Sequence, residues 1–169
     1  EIGPDGALYV LDWHDADICG QEVLNSETGR IFRIAPKITR AENFENRYSD
    51  LRTLSDKQLV EFQLSNSDWH ARRARVILQH RASNGTLKKE THGDLKEIYK
   101  TNKTLNIRLR ALWSLHITNG LTPVELTQGL DDPQEQIRAW SIQLLCEDKN
   151  PPTEAKSKFL SMAKNDKSA

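Results

Sequence analysis

The 169-residue chain carries 24 basic and 24 acidic side chains, so its formal charge is +0 and no global field draws it toward nucleic acid or an anionic membrane. No apolar run approaches the roughly 18 residues needed to span a bilayer, and the length suits one ordinary domain with a buried core. The opening Glu1-Ile2-Gly3, with no initiator Met and no signal peptide, reads as a segment of a longer polypeptide.

Residues 1–36 carry strand signals. Gly3-Pro4-Asp5-Gly6 is a turn, with Pro fixing φ and Gly free to take positive φ. Ala7 to Trp13 follows, short and rich in aromatic and branched residues, as a buried strand is. Gly29 to Ile34 reads as a second strand, the two predicted to pair antiparallel. Two strands alone do not make a stable sheet in water, so their apolar surface calls for further strands. Residues 37–54 are polar and without clear period, and read as a linker.

From residue 55 to 169 the period becomes helical. Ser55-Asp56-Lys57-Gln58 is a capping box ahead of Leu59, Phe62 and Leu64. A second helix covers about Ser67 to Ala82, stopped by Asn84-Gly85. A third covers about Thr91 to Lys100, and a fourth Leu105 to Thr118, stopped by Asn119-Gly120. Thr122-Pro123-Val124-Glu125 reads as cap, first-turn proline and N3 glutamate, and Asp132-Pro133-Gln134-Glu135 as the same start repeated. Ile137, Trp140, Ser141, Leu144 and Leu145 then lie at helical spacing. Asn150-Pro151-Pro152 breaks that helix, and Thr153 caps a last one through Met162. The fold predicted is mainly α, a HEAT-like α-solenoid of antiparallel helix pairs preceded by a β-hairpin.

Three second helices share an Arg-Ala step: Arg73-Ala74, Arg110-Ala111 and Arg138-Ala139. Their spacing is irregular but near the period of helical-pair repeats. Small alanines let helices approach closely, and the arginines can reach carboxylates or helix ends between repeats. These six residues, with Trp113 and Trp140, are therefore predicted to pack repeat on repeat, the three alanines buried. Arg72, Arg73, Arg75, Arg108 and Arg110 do not amount to a nucleic-acid surface, because acidic residues balance them.

The densest group of ligand-type side chains is Asp12, His14, Asp15 and Asp17. It could hold calcium, or a softer cation through His14. It could equally be a polar loop that caps strand ends. The spacing is not that of an EF-hand. Cys19 and Cys146 form no CxxC or haem-attachment pattern and read as free thiols. No nucleophile elbow, P-loop or dinucleotide glycine motif is present.

Ile2-Gly3-Pro4-Asp5-Gly6-Ala7-Leu8-Tyr9-Val10-Leu11-Asp12-Trp13, followed by Thr28-Gly29-Arg30-Ile31-Phe32-Arg33-Ile34-Ala35-Pro36, resembles the end of a β-propeller. With Arg110-Ala111-Leu112-Trp113-Ser114-Leu115-His116 after it, the order resembles that of the membrane-bound dehydrogenases of Planctomycetes and Verrucomicrobia, which are similar to quinoprotein sugar dehydrogenases. The resemblance implies a last propeller blade at residues 1–36, HEAT-like repeats after it, and a periplasmic or extracytoplasmic location. It also implies a cytochrome c-like domain elsewhere in the polypeptide, with haem c or quinone there and no cofactor in this segment. The expected partners are then the rest of the polypeptide or another protein. The chain is expected to be a non-catalytic structural and docking segment of a larger oxidoreductase. The alternatives are a stand-alone HEAT-type binding module, or a loop from Asp12 to Asp17 that contributes to a propeller active site or metal site.

Overall fold

The computed structural model describes residues 1–12, 29–35 and 49–168. These form a two-stranded sheet followed by seven α-helices. Strand β1 (Leu8–Leu11) pairs antiparallel with β2 (Ile31–Ile34), Leu8 opposite Ile34 and Leu11 opposite Ile31. The preceding turn holds Gly6 at φ 73°, a conformation that favours glycine.

Helical structure begins at Leu51 rather than Ser55. Residues Leu51–Thr53 form a 3-10 turn capped by the Asp50 carboxylate, which accepts from the Arg52 N–H at 3.0 Å, and Leu51 is buried. Helix α1 (Asp56–Glu61) opens with the predicted capping box: Gln58 N–H donates to Ser55 Oγ and Gln58 Oε1 accepts from Ser55 N–H. A 3-10 turn at Phe62–Leu64 leads to α2 (Asp68–Ser83), which packs on α1. Helix α3 (Glu90–Thr101) packs on α4 (Leu105–Ile117), the short Asn102–Thr104 connection folding the two back on each other. Helix α5 (Pro123–Gln128) has the second predicted capping box, between Thr122 and Glu125. It runs through a 3-10 turn at Gly129–Asp131 into α6 (Glu135–Leu145), on which it packs. Helix α7 (Thr153–Asn165) closes the chain, with no side-chain cap from Thr153.

Helices α2 and α4 end alike. Gly85 (φ 68°) and Asn119 (φ 57°) take the left-handed conformation, and the next N–H, of Thr86 or Gly120, reaches back to Arg81 O (2.8 Å) or Leu115 O (2.7 Å). Orphan carbonyls of the last turn are thereby satisfied. At the second stop the turning residue is Asn119, not the glycine.

A common turn precedes each second helix. Ser67 N–H donates to Ser65 Oγ (3.0 Å), Thr104 N–H to Asn102 Oδ1 (2.9 Å), and Gln134 N–H to Asp132 Oδ1 (2.9 Å). After α7 the same turn recurs, Ser168 N–H donating to Asp166 Oδ1 at 2.9 Å. The residue that opens each turn has nearly the same extended backbone: ψ is 147° at Ser65, 138° at Asn102, 139° at Asp132 and 137° at Asp166. Asp132 therefore leads into α6 and Gln134 occupies its cap position, which corrects the expectation that Asp132 is the cap.

Aligned on these turns, the inner faces of α2, α4 and α6 coincide: His70, Ile107 and Ile137, then Ala74, Ala111 and Ser141, then Leu78, Leu115 and Leu145. All but the half-buried Ile107 are buried, at the i, i+4, i+8 spacing of one helix face. The core falls into two adjoining clusters. One is built on Leu59, Leu78, Leu95 and Leu115, the other on Leu112, Leu126, Leu130 and Ile137.

The alignment corrects two packing expectations. Ala139 is exposed, because the position equivalent to Ala74 and Ala111 is Ser141. Arg73 is exposed on the outer face of α2, where a long charged side chain keeps its head in water.

Candidate docking surface

The turn that precedes β1 is tied to both strands by one carboxylate. Asp5 is buried and accepts hydrogen bonds from Ala7 N–H (3.1 Å), Tyr9 Oη–H (3.1 Å) and Arg33 Nε (2.6 Å). Burial pushes the Asp5 carboxyl up. The Arg33 guanidinium, the Ala7 N–H and the Tyr9 hydroxyl together outweigh this and hold it below the usual carboxylate range. Gly3 lies under the Tyr9 ring, where any Cβ would collide with ring carbons.

Beyond that anchor the hairpin is apolar on both faces. In the observed register Leu8 and Val10 share a face with Ile34 and Phe32, while Leu11 and Ile31 lie on the other. All six are exposed, Leu11 by 75% and Ile31 by 69%, and Ile2 beside them is exposed as well. Among the described residues the short sheet thus exposes large apolar side chains on both sides, with Tyr9 and Arg33 of the anchor on the face of Leu11 and Ile31.

The helical part is laced by arginines that grip the lead-in turns. Arg108 donates to Tyr99 O (2.9 Å) and pairs with Asp132 (2.5 Å). Arg110 reaches back to Gln63 O (3.1 Å), Ser65 O (2.6 Å) and the Asp68 carboxylate. Arg138 donates to Asp132 O (3.1 Å) and pairs forward with Asp166 (2.8 and 2.5 Å). The hydrogen bonds to these carboxylates raise the Arg108 and Arg138 guanidinium pKa above the ordinary value. Trp113 of α4 and Trp140 of α6 meet edge to face at 4.9 Å, and the Arg75 guanidinium lies 5.2 Å over the Trp113 ring. Burial, with Arg110 and Arg72 nearby, lowers the Arg75 pKa below the ordinary arginine value.

Arg110, Ala111, Trp113, Arg138 and Trp140 thus lie at contacts between neighbouring helices, whereas Arg73 and Ala139 face outward. Of the predicted metal group only Asp12 is described: it is exposed, its N–H donating to Arg30 O at 2.8 Å, and His14, Asp15 and Asp17 lie outside the described residues, as does Cys19. Among the described residues no three His, Cys, Asp or Glu side chains gather as a metal site. Cys146 is a half-buried free thiol.

Sequence reasoning missed the buried Asp56, which pairs with Arg81 and accepts from Lys88 N–H (2.8 Å) and Thr91 Oγ1 (3.4 Å). Its only signal was a place in the capping box, which explains local but not distant bonds. It also missed the lead-in turns, whose Ser, Asn and Asp openers differ in residue type but share the ability to accept from the backbone. Among the described residues, no helix is long and apolar enough to cross a membrane. No family model matches the chain, and no curated protein or solved structure matches it.

Proposed function

We propose that the chain is a non-catalytic structural and docking segment of a larger extracytoplasmic oxidoreductase. Its helices are read as a HEAT-like solenoid, and its hairpin as the last strands of a propeller blade. The observation that carries this reading is the hairpin with exposed apolar side chains on both faces among the described residues. Such a hairpin buries too little alone to stand as a sheet and suits the middle or edge of a larger one. The recurring lead-in turns and coincident inner faces of α2, α4 and α6 support the solenoid reading. The link to a sugar dehydrogenase-like, haem-coupled polypeptide rests on the resemblance of residues 2–13, 28–36 and 110–116.

Amide hydrogen exchange tests the docking role. In the isolated chain the amides of Leu8–Leu11 and Ile31–Ile34 should exchange with little protection. In the intact polypeptide they should be protected as strongly as the core of α4. Equal, weak protection in both contexts would remove the docking reading.

A further inference from the structure

Helix α7 packs beside α6 and leaves a groove between them of about 390 Å³, lined by Ala139, Ile142, Phe159 and Met162 and ending at Asp166 and Ser168. One step earlier in the chain the equivalent place is filled. Aligned on the lead-in turns, Leu109 and Leu112 of α4 occupy the positions of Ala139 and Ile142, and both leucines are buried in the cluster that includes Ile137 of α6. On α2 the same positions are Arg72 and Arg75, the second of which lies over Trp113 of α4. On α6 these positions are uncovered: Ala139 is exposed and Ile142 only half-buried.

The turn that starts a second helix is nonetheless already formed beyond α7. Asp166 and Ser168 reproduce the hydrogen bond and backbone of Asp132 and Gln134. Arg138 fixes it, pairing with Asp166 and donating to Ser168 Oγ at 3.2 Å, as Arg108 pairs with Asp132 before α6. The groove therefore ends at a lead-in turn of the kind that precedes α6, held by an arginine in the same way.

We infer that this groove is the seat of one further amphipathic helix, contiguous with α7 and capped by Ser168. Its inner face would carry apolar residues at i and i+8 around a small residue at i+4, the pattern of Ile137, Ser141 and Leu145. The remaining polar face would stay in water.

The test copies residues 135–147 directly after Ser168, which gives the new segment the lead-in that α6 has. Thermal melting of this extended chain is compared with one carrying the same residues in scrambled order. The native-order extension should raise the melting temperature by several degrees and the scrambled one should not. Ala139→Glu is exposed in the chain as it stands, so it should leave the unextended protein's melting unchanged while abolishing the gain. Equal melting of the two extensions, or a gain that survives Ala139→Glu, would overturn the inference. Met162 is the single methionine, so its labelled methyl group reports on the groove in the unextended chain. A methyl signal that shifts on dilution would assign the groove to a second copy of this chain and also overturn it. Neither measurement touches the N-terminal hairpin, so the docking reading stands or falls separately.

Discussion

Arg108 and Asp132 close on each other through two nitrogen–oxygen contacts, at 3.2 and 2.5 Å, tying the start of α4 to the turn that leads into α6. The paired geometry suits a planar guanidinium fork on a carboxylate. Asp132 also accepts from the Gln134 N–H, so one side chain both forms the turn and fixes it against the preceding pair. Asp132→Ala should cost about 1–3 kcal/mol, because it strands a mostly buried arginine and a helix-start N–H. Urea denaturation of the single and double variants with Arg108→Ala should show coupling of about 0.5–3 kcal/mol. Strict additivity would mean that the pair forms without joining the two helices energetically.

Ala111 and Ala139 should respond oppositely to enlargement. Ala111 is fully buried at the contact of α4 with its neighbours, and Ala111→Leu should overpack the site at a cost of about 1–3 kcal/mol. Ala139 is exposed, so Ala139→Leu should stay within about 0.5 kcal/mol of the parent. Equal losses in denaturant midpoint would show that both alanines are packed.

The same pair shows what the sequence could and could not disclose. Helices were legible because capping boxes at Ser55 and Thr122 and the stop after α2 act locally. Register between helices was not. Arg138-Ala139 resembles Arg110-Ala111 in residue type, but the structural match to Arg110-Ala111 is Trp140-Ser141. Ser141 can take the alanine's place because its hydroxyl turns back to Ile137 O at 2.8 Å, so a polar residue is buried without an unsatisfied group. The bond from the Lys88 N–H to Asp56 was equally hidden, being set by how α1 and the start of α3 meet. Of the candidate docking surface, the apolar character of residues 8–11 and 31–34 was legible. Its exposure on both faces was not, since that depends on what packs against the sheet rather than on residue type.

Acid should unfold the chain through a few named carboxylates. At Asp56 burial pushes the pKa up, but the Lys88 N–H and the Arg81 guanidinium outweigh it and hold the group below its usual 3.8. At Glu125 burial again opposes, and Lys96 and Thr122 hold the group below 4.5. At Asp166 the Arg138 guanidinium leads, with the Ser168 N–H, and lowers the group well below 3.8. Each folded carboxylate binds its proton more weakly than the unfolded one does. The stability is thus complete above the unfolded values and is lost as pH falls through the lower folded ones. The melting temperature should be nearly level from about pH 7 to about pH 5 with respect to these groups and fall below about pH 4. Asp166→Asn should melt lower at neutral pH and fall less steeply in acid. A variant curve parallel to the parent's would exclude Asp166 as a contributor.

The close approach of Gly129 to Ser141 gives the last test. Gly129 has φ −62°, so no backbone conformation requires glycine there. What excludes a side chain is space: a Cβ would collide with the Ser141 hydroxyl and come within 3.2 Å of the Ser141 Cβ. The hydroxyl is held in place by its bond to Ile137 O, so it yields only by giving up that bond. Gly129→Ala should therefore destabilise by about 1–3 kcal/mol through overpacking, despite alanine's better helical propensity. In a Ser141→Ala background the colliding atom is gone, and only the tight Cβ contact remains. The penalty for Gly129→Ala should then shrink by more than half, read as a difference in urea midpoint between the two backgrounds. An unchanged penalty would place the strain elsewhere in the turn, and a gain in stability from Gly129→Ala alone would show that the 3-10 segment and α6 stand further apart in solution.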